Sequence, residues 1–442
     1  LLLLLLVFHL SLAGVVRCRN HHHRRHSSKR NRRAGNGISP ALSPANGKVF
    51  DVTTFGAVGD SVADDTEAFN AAWNGACGAN SGVLLAPAGY KFLVQSTIFT
   101  GPCKPGFTFQ IEGTIVPPDG PESWPEDLSR RQWLVFYRAN DMAIRGGGVI
   151  DGRGKKWWNL PCKPHKGGFR VDAPCDSPTA IRFFMSHRVI VEGIKIKHSP
   201  QFHVRFDDCA HVHVDSIHIT SPFWSPNTDG IHLENSNFVQ IYNSRISNGD
   251  DCVSIGSGTN NVDIKNVTCG SGHGISIGSL GNHNSLACAS NITVRESVIK
   301  NSANGVRIKT WQGGSGQVTG VIFDGIFMEN VRNPIIIDQF YCLANDCVNR
   351  TSAVSVSGVQ YRRISGTYSV SAPPMHFGCS DSVPCTNVTL SDIELFPAEG
   401  SLVSDPFCWN VYGQIETPTV PPVNCVSEGC PRSFADYNAG IC

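Results

Sequence analysis

The return of short apolar–polar runs at one interval constrains this 442-residue chain more than any other feature. Ile231-His232-Leu233, Val253-Ser254-Ile255 and Ile275-Ser276-Ile277 begin 22 residues apart, and Val306-Arg307-Ile308 follows 31 later, room for one inserted loop. Each run alternates apolar and polar residues, the period of a strand with one face buried. Strands returning at a near-fixed spacing predict a solenoid, in which every coil adds one rung to the same parallel sheets. Rungs of this kind stack ~4.8 Å apart.

The same ruler orders the ionisable residues. Asp229, Asp251 and His273 each stand two residues before their run, so in register they form one column at a turn. Asp250 adjoins Asp251. Arg307 and Lys309 alternate with Val306 and Ile308, which points both cations out of the sheet beside that column. A single Asp at a solenoid turn is often a backbone cap. Two adjacent acids are less easily explained that way, because like charges repel and a cap needs only one. Carboxylates, an imidazole and two cations meeting on one patch predict a catalytic layout rather than a core.

Elsewhere the chain divides into three parts. Leu1 to Ala13 is an apolar run of secretory length, too short to span a bilayer, and Ser11-Leu12-Ala13 offers small residues for cleavage. Residues 1–18 therefore read as a signal peptide, truncated at its front because neither an initiator Met nor a basic region precedes it. Residues 19–48 are rich in His and Arg and have no acid, so they read as a disordered linker or pro-segment. Nine Lys/Arg and no Asp/Glu between Gly14 and Val49 leave 28 basic against 36 acidic residues elsewhere. Residues 49–442 read as one elongated domain. Asp64 and Glu67 look like the start of a helix with Ala68, Ala71 and Ala72 on one side and Gly75 as its stop, a plug on one end of the solenoid. More strand-like runs occur at Val83-Leu84-Leu85, Ile181-Arg182-Phe183, Val204-Arg205-Phe206, Val212-His213-Val214 and Ile335-Ile336-Ile337, with loops at 117–125 and 161–178.

Seventeen cysteines after a signal run read as disulfides, and cleavage beyond Cys18 leaves sixteen. Cys342 with Cys347 and Cys379 with Cys385 are spaced to clip loops. No CxxC pair suggests a zinc site, and no cofactor or metal is expected. Sequons at Asn266, Asn291, Asn349 and Asn387 are compatible with glycosylation.

Four motifs occur in order: Ser225-Pro-Asn-Thr-Asp-Gly230, Gly249-Asp-Asp-Cys252, Gly272-His-Gly274 and Arg307-Ile-Lys309. Together they resemble the signature of the polygalacturonases, family 28 of the glycoside hydrolases. The likeness runs from the opening at Asp51 through Gln339-Phe-Tyr-Cys342 and on towards the C-terminus. It implies an all-β, right-handed parallel β-helix with a short N-terminal capping helix. It also implies inverting hydrolysis of α-1,4-galacturonosidic bonds in pectin or homogalacturonan by a secreted, monomeric enzyme of the cell wall. Neither nucleic acid nor, after signal cleavage, a membrane is an expected partner.

The resemblance assigns Asp250 as general acid, Asp229 and Asp251 as holders of the attacking water, and His273 as the tuner of the acid. Arg307 and Lys309 would grip the uronate carboxylate, with Asn227 and Tyr341 in the cleft. Cys252 and Cys269 match a family disulfide. Such chemistry needs one protonated carboxyl and one carboxylate, and crowding is expected to raise one acid's pKa. His203, His211, His213, His218 and His232 read as surface or satisfied structural histidines. The rival readings are a pectate lyase-like β-helix enzyme, a rhamnogalacturonan-cleaving relative and an inactive wall-binding protein.

Overall fold

A computed structural model describes residues 47–159, 176–343, 347–431 and 442. The signal run, the basic segment up to residue 46 and most of the loop expected at 161–178 lie outside the described residues. The chain winds into a right-handed parallel β-helix whose strands form an 11-stranded sheet and a 22-stranded sheet. The 11-stranded sheet carries the motifs. Its strands are β1 (Thr97–Thr100), β2 (Gln132–Tyr137), β3 (Thr179–Phe184), β4 (Val204–Asp207), β5 (Ile231–Glu234), β6 (Val253–Ile255), β7 (Ile275–Leu280), β8 (Asn304–Trp311), β9 (Asn333–Tyr341), β10 (Met375–Gly378) and β11 (Phe407–Trp409).

All neighbouring strands of this sheet run parallel, and Ile231, Val253, Ile275, Val306 and Ile335 pair in register. One rung position further along, Leu233, Ile255, Ile277, Ile308 and Ile337 do the same. Both columns are fully buried. Towards the N-terminal end the second column becomes aromatic: Phe136 stacks on Phe183 with centroids 5.0 Å apart, and Phe183 on Phe206 at 4.9 Å. Offset rings at this spacing add to what their buried area alone contributes.

The larger sheet forms the other faces. Two of its ladders, through Asn237–Tyr242 and Arg245–Ser247, both continue onto the single long strand Leu286–Lys300 by way of Thr259–Lys265 and Thr268–Cys269. Asparagines turn the corners in the left-handed conformation that their short polar side chains tolerate, among them Asn243, Asn266 and Asn291. Of the sequon asparagines, Asn266, Asn291 and Asn349 are exposed and Asn387 is half-buried.

Helix α1 (Thr66–Cys77) covers the N-terminal end with Ala68, Phe69, Ala72, Trp73 and Ala76 buried. Three details differ from the expectation of an Asp64–Glu67 N-cap pair, an Ala68/Ala71/Ala72 face and a stop at Gly75. The cap position is Asp65, one residue after Asp64, and it makes no side-chain cap bond. Ala71 is exposed, because the helical period selects the 68/69/72/73/76 face. Gly75 does not stop the helix. A Cβ there would lie 2.6 Å from the Phe50 ring, so the glycine makes room for close packing.

Disulfides join Cys77 to Cys103, Cys252 to Cys269, Cys288 to Cys442, Cys342 to Cys347, Cys379 to Cys385 and Cys408 to Cys425. Among the described residues, Cys209 is a free, buried thiol whose Sγ donates to the Asp207 carbonyl at 3.3 Å, and burial pushes its pKa up to about 12.

Phe183→Ala should lower stability by about 3–5 kcal/mol, because it removes the middle ring of the interior stack. The check is a urea denaturation midpoint well below wild type. An unchanged midpoint would mean that the stack does not hold the coils together.

Candidate active site

Turns leading into β5, β6 and β7 deliver the charged residues. Asp229 precedes β5, Asp251 precedes β6 and His273 precedes β7, each two residues ahead of its in-register strand, and Asp250 stands one residue before Asp251. The sequence forces these turns to be tight. A Cβ on Gly272 would lie 2.4 Å from the Asp250 carbonyl oxygen, and one on Gly274 would lie 2.1 Å from that of Gly305. Both glycines also hold positive φ, at 122° and 74°. Glycine on either side is therefore what lets His273 sit directly over the aspartates.

Buried Asn248 ties the rungs together by donating to the carbonyls of Thr228 at 2.7 Å and Asp251 at 2.9 Å. The Cys252–Cys269 disulfide begins directly after Asp251 and anchors its loop.

Asp251 lies at the centre of the charge cluster with its side chain only 3% exposed. Its Oδ1 accepts from Ser276 Oγ at 2.8 Å and from Arg307 at 2.8 Å, and its Oδ2 accepts from Lys309 Nζ at 2.8 Å. Burial alone would raise its pKa. The charges of Lys309 and Arg307 reverse that and hold the carboxyl below the ordinary value.

Asp250 is different, with a side chain 25% exposed. His273 Nδ1 lies 3.0 Å from its Oδ1, and the Asp251 amide donates to the same oxygen at 2.8 Å. Burial again pushes upward, but the hydrogen bond and charge of His273, with Lys309 behind, set Asp250 well below the usual carboxylate range. His273 responds in kind. Burial lowers its pKa, and the hydrogen bond and charges of Asp250 and Asp251 more than restore it, leaving it raised.

These directions correct the expectation that crowding raises an acid's pKa. With two cations and an imidazole against the acids, attraction outweighs both desolvation and repulsion. Asp250 and His273 titrate as a pair that shares one proton.

Arg307 and Lys309 leave the strand on the outward side, as their alternation requires, but both are already bonded to Asp251. Lys309 is buried and lies 5.5 Å from the centre of the Tyr341 ring. Tyr341 packs edge-on against Trp311 at 5.1 Å, and burial pushes its hydroxyl up to about 12. Asn227 is buried in the turn before Asp229, with φ 56°.

Asp229 joins the cluster through Ser254, whose Oγ donates to Asp229 Oδ2 at 2.6 Å. Ser254 and Ser276, like Asn248, went unnoticed in the sequence, although both serines are the middle residues of the repeating runs. His203 is fully buried, with Nδ1 3.0 Å from the Asp229 carbonyl oxygen and Nε2 2.9 Å from Ser221 Oγ. Burial takes its pKa down to about 4, so it is a neutral structural pin.

Asp250, Asp251 and His273 bring potential ligand atoms within 4.8 Å of one another. Both Asp251 oxygens already accept from cationic groups, so the donor set fits an ion-pair cluster better than a divalent site.

The family described as "Glycosyl hydrolases family 28" matches residues 77–412. A "probable polygalacturonase" of Arabidopsis thaliana is 40% identical over 443 residues, covering 100% of this chain and 96% of that protein. A polygalacturonase of Cryptomeria japonica is 44% identical over 357 residues, covering 80% of this chain and 68% of that one. Among solved structures, a polygalacturonase from Erwinia carotovora shares the fold with a TM-score of 0.66 at 22% identity, over 87% of this chain and all (100%) of that one.

The pair's effect on stability has a fixed sign. The raised pKa of His273 makes its contribution full below the ordinary 6.5 and lost as pH rises through the raised value. The lowered pKa of Asp250 makes its contribution full above 3.8 and lost as pH falls. His273→Gln should therefore melt below wild type between about pH 4 and 6.5, with the gap closing as pH rises through the raised His273 value. Thermal midpoints across pH provide the check, and a gap that does not change with pH would contradict the pairing.

Proposed function

The chain belongs to family 28 of the glycosyl hydrolases and acts on pectin, and from that premise we propose how its carboxylates divide the work on polygalacturonate. The observation that carries the proposal is the difference in exposure. Asp250, 25% exposed and bonded to an imidazole, reaches solvent, whereas Asp251 is buried under two cations.

Asp250 is the general acid. Its proton rests on His273 Nδ1 in the free enzyme and passes across the 3.0 Å hydrogen bond to Oδ1. From there it reaches the glycosidic oxygen as the bond to C1 breaks. A bound uronate brings negative charge to the site, which raises the proton affinity of Asp250 at the moment the proton is needed.

Asp251, held ionised by Arg307 and Lys309, orders the attacking water and stabilises positive charge at C1 but is a weak base. Asp229 accepts the water proton while the hydroxyl adds to C1 from the opposite face, inverting the anomeric centre. Arg307 and Lys309 share their remaining donors with the uronate carboxylate, for which the planar guanidinium is suited. Tyr341 and Asn227 complete the subsite. A lyase would need a base to abstract a ring proton, and the cations here are already engaged by Asp251.

The disulfides among the described residues suit an oxidising compartment, and no helix among those residues is long and apolar enough to cross a membrane. We place the enzyme outside the cell, at the wall where pectin lies, acting as a monomer.

Asp250→Asn should lower kcat on polygalacturonate by at least about a thousandfold, because the amide cannot deliver the proton, in a variant that still folds although the lost pair with His273 lowers its thermal midpoint. Near-normal turnover in a folded variant would remove Asp250 from the acid role.

A further inference from the structure

We propose that His232 is a positioning residue for the hydrolytic base: through Ser254 it fixes the carboxylate of Asp229. The inference rests on the reading of Asp229 as the base. His232, Ser254, Ser276 and Arg307 occupy one outward column, in register on β5, β6, β7 and β8. From that column each serine reaches back to the aspartate of the preceding turn, Ser254 to Asp229 Oδ2 at 2.6 Å and Ser276 to Asp251 Oδ1 at 2.8 Å. Each serine is in turn met by a nitrogen base, Ser276 by Arg307 Nε at 3.1 Å and Ser254 by His232 Nδ1 at 2.8 Å.

Counting protons fixes the direction of the second relay. A serine hydroxyl has one proton, and an ionised carboxylate can only accept. Ser254 must give its proton to Asp229, so its lone pair accepts from His232, and His232 must carry a proton on Nδ1. An imidazole with a bare Nδ1 would draw the hydroxyl towards itself and leave Asp229 Oδ2 without this donor. The surroundings hold the ring in place. Phe202 stacks on it with centroids 4.8 Å apart and a 16° interplanar angle.

The charged neighbours are Glu234, whose Oε2 lies 3.4 Å from Nε2, and Arg205 on β4, which pairs in register with His232 and is bonded to Asp207 at 2.7 Å. Glu234 offers the Nε2 side an acceptor, so both ring nitrogens have a group to donate to. The two relays are built alike but end differently. Arginine never gives up its proton and makes Asp251 a fixed charge. Histidine is the weaker, neutralisable donor, which leaves Asp229 basic enough to take a proton from water.

The test is steady-state kinetics on polygalacturonate with His232→Ala, His232→Asn, Ser254→Ala and the double Ala variant, alongside melting curves. The expected result for His232→Ala is a kcat about tenfold below wild type, the scale of one hydrogen bond to a charged group, with KM within about twofold. His232→Asn, whose amide can donate from near the Nδ1 position, should recover kcat to within about threefold of wild type. Adding Ser254→Ala to His232→Ala should cost nothing further.

Wild-type kcat in His232→Ala, multiplicative losses in the double variant, or no recovery by Asn would each overturn the relay. If the histidine variants melt far below wild type, Ser254→Ala with normal KM and normal kcat would overturn it alone. Asp229→Asn separates the two readings: near-normal turnover there defeats the base assignment itself, whereas loss there with an unaffected His232→Ala defeats only the relay.

Discussion

Register between parallel coils is the constraint on which the rest of this molecule depends. Ile231, Val253, Ile275, Val306 and Ile335 point inward at one level, and Leu233, Ile255, Ile277, Ile308 and Ile337 at the next. A slip of one residue on any strand would send both columns into solvent, so burial locks every coil against its neighbour. The residues between the columns are then forced outward in a line, His232, Ser254, Ser276 and Arg307. The geometry of the charge cluster is thus set by the same packing that makes the core.

On that frame, three aspartates acquire three environments. Asp251 is buried with Arg307 and Lys309 against it, Asp250 is partly exposed beside His273, and Asp229 receives a neutral hydroxyl. Identical side chains can play different parts when their surroundings separate their proton affinities. Removing one cation from Asp251 would leave a buried charge less than fully paired, a costly change in a dry site. Arg307 and Lys309 therefore hold the Asp251 carboxylate in place without any ligand.

Much of this was legible in the sequence, because a solenoid turns spacing along the chain into position in space. The 22-residue interval placed the acids and His273 on consecutive coils, and alternation placed Arg307 and Lys309 outward. What failed to show depended on distances. The sign of the Asp250 shift turns on a 3.0 Å contact with His273, which spacing alone does not give. Gly75 read as a helix stop, yet it accommodates the Phe50 ring from a distant part of the core. Ser254 and Ser276 looked like ordinary polar strand residues, since only three-dimensional stacking reveals that each reaches back one coil.

In the proposed reaction this stack of carboxylates adds water across a galacturonosidic bond from the face opposite the leaving group. Proton NMR of a short oligogalacturonate, followed from the first turnovers before mutarotation mixes the anomers, tests it directly. Newly formed reducing ends should appear first as the β-anomer, inverted from the α-linkage that was cut. Reducing ends appearing first as the α-anomer, or fragments carrying a ring double bond, would contradict the account.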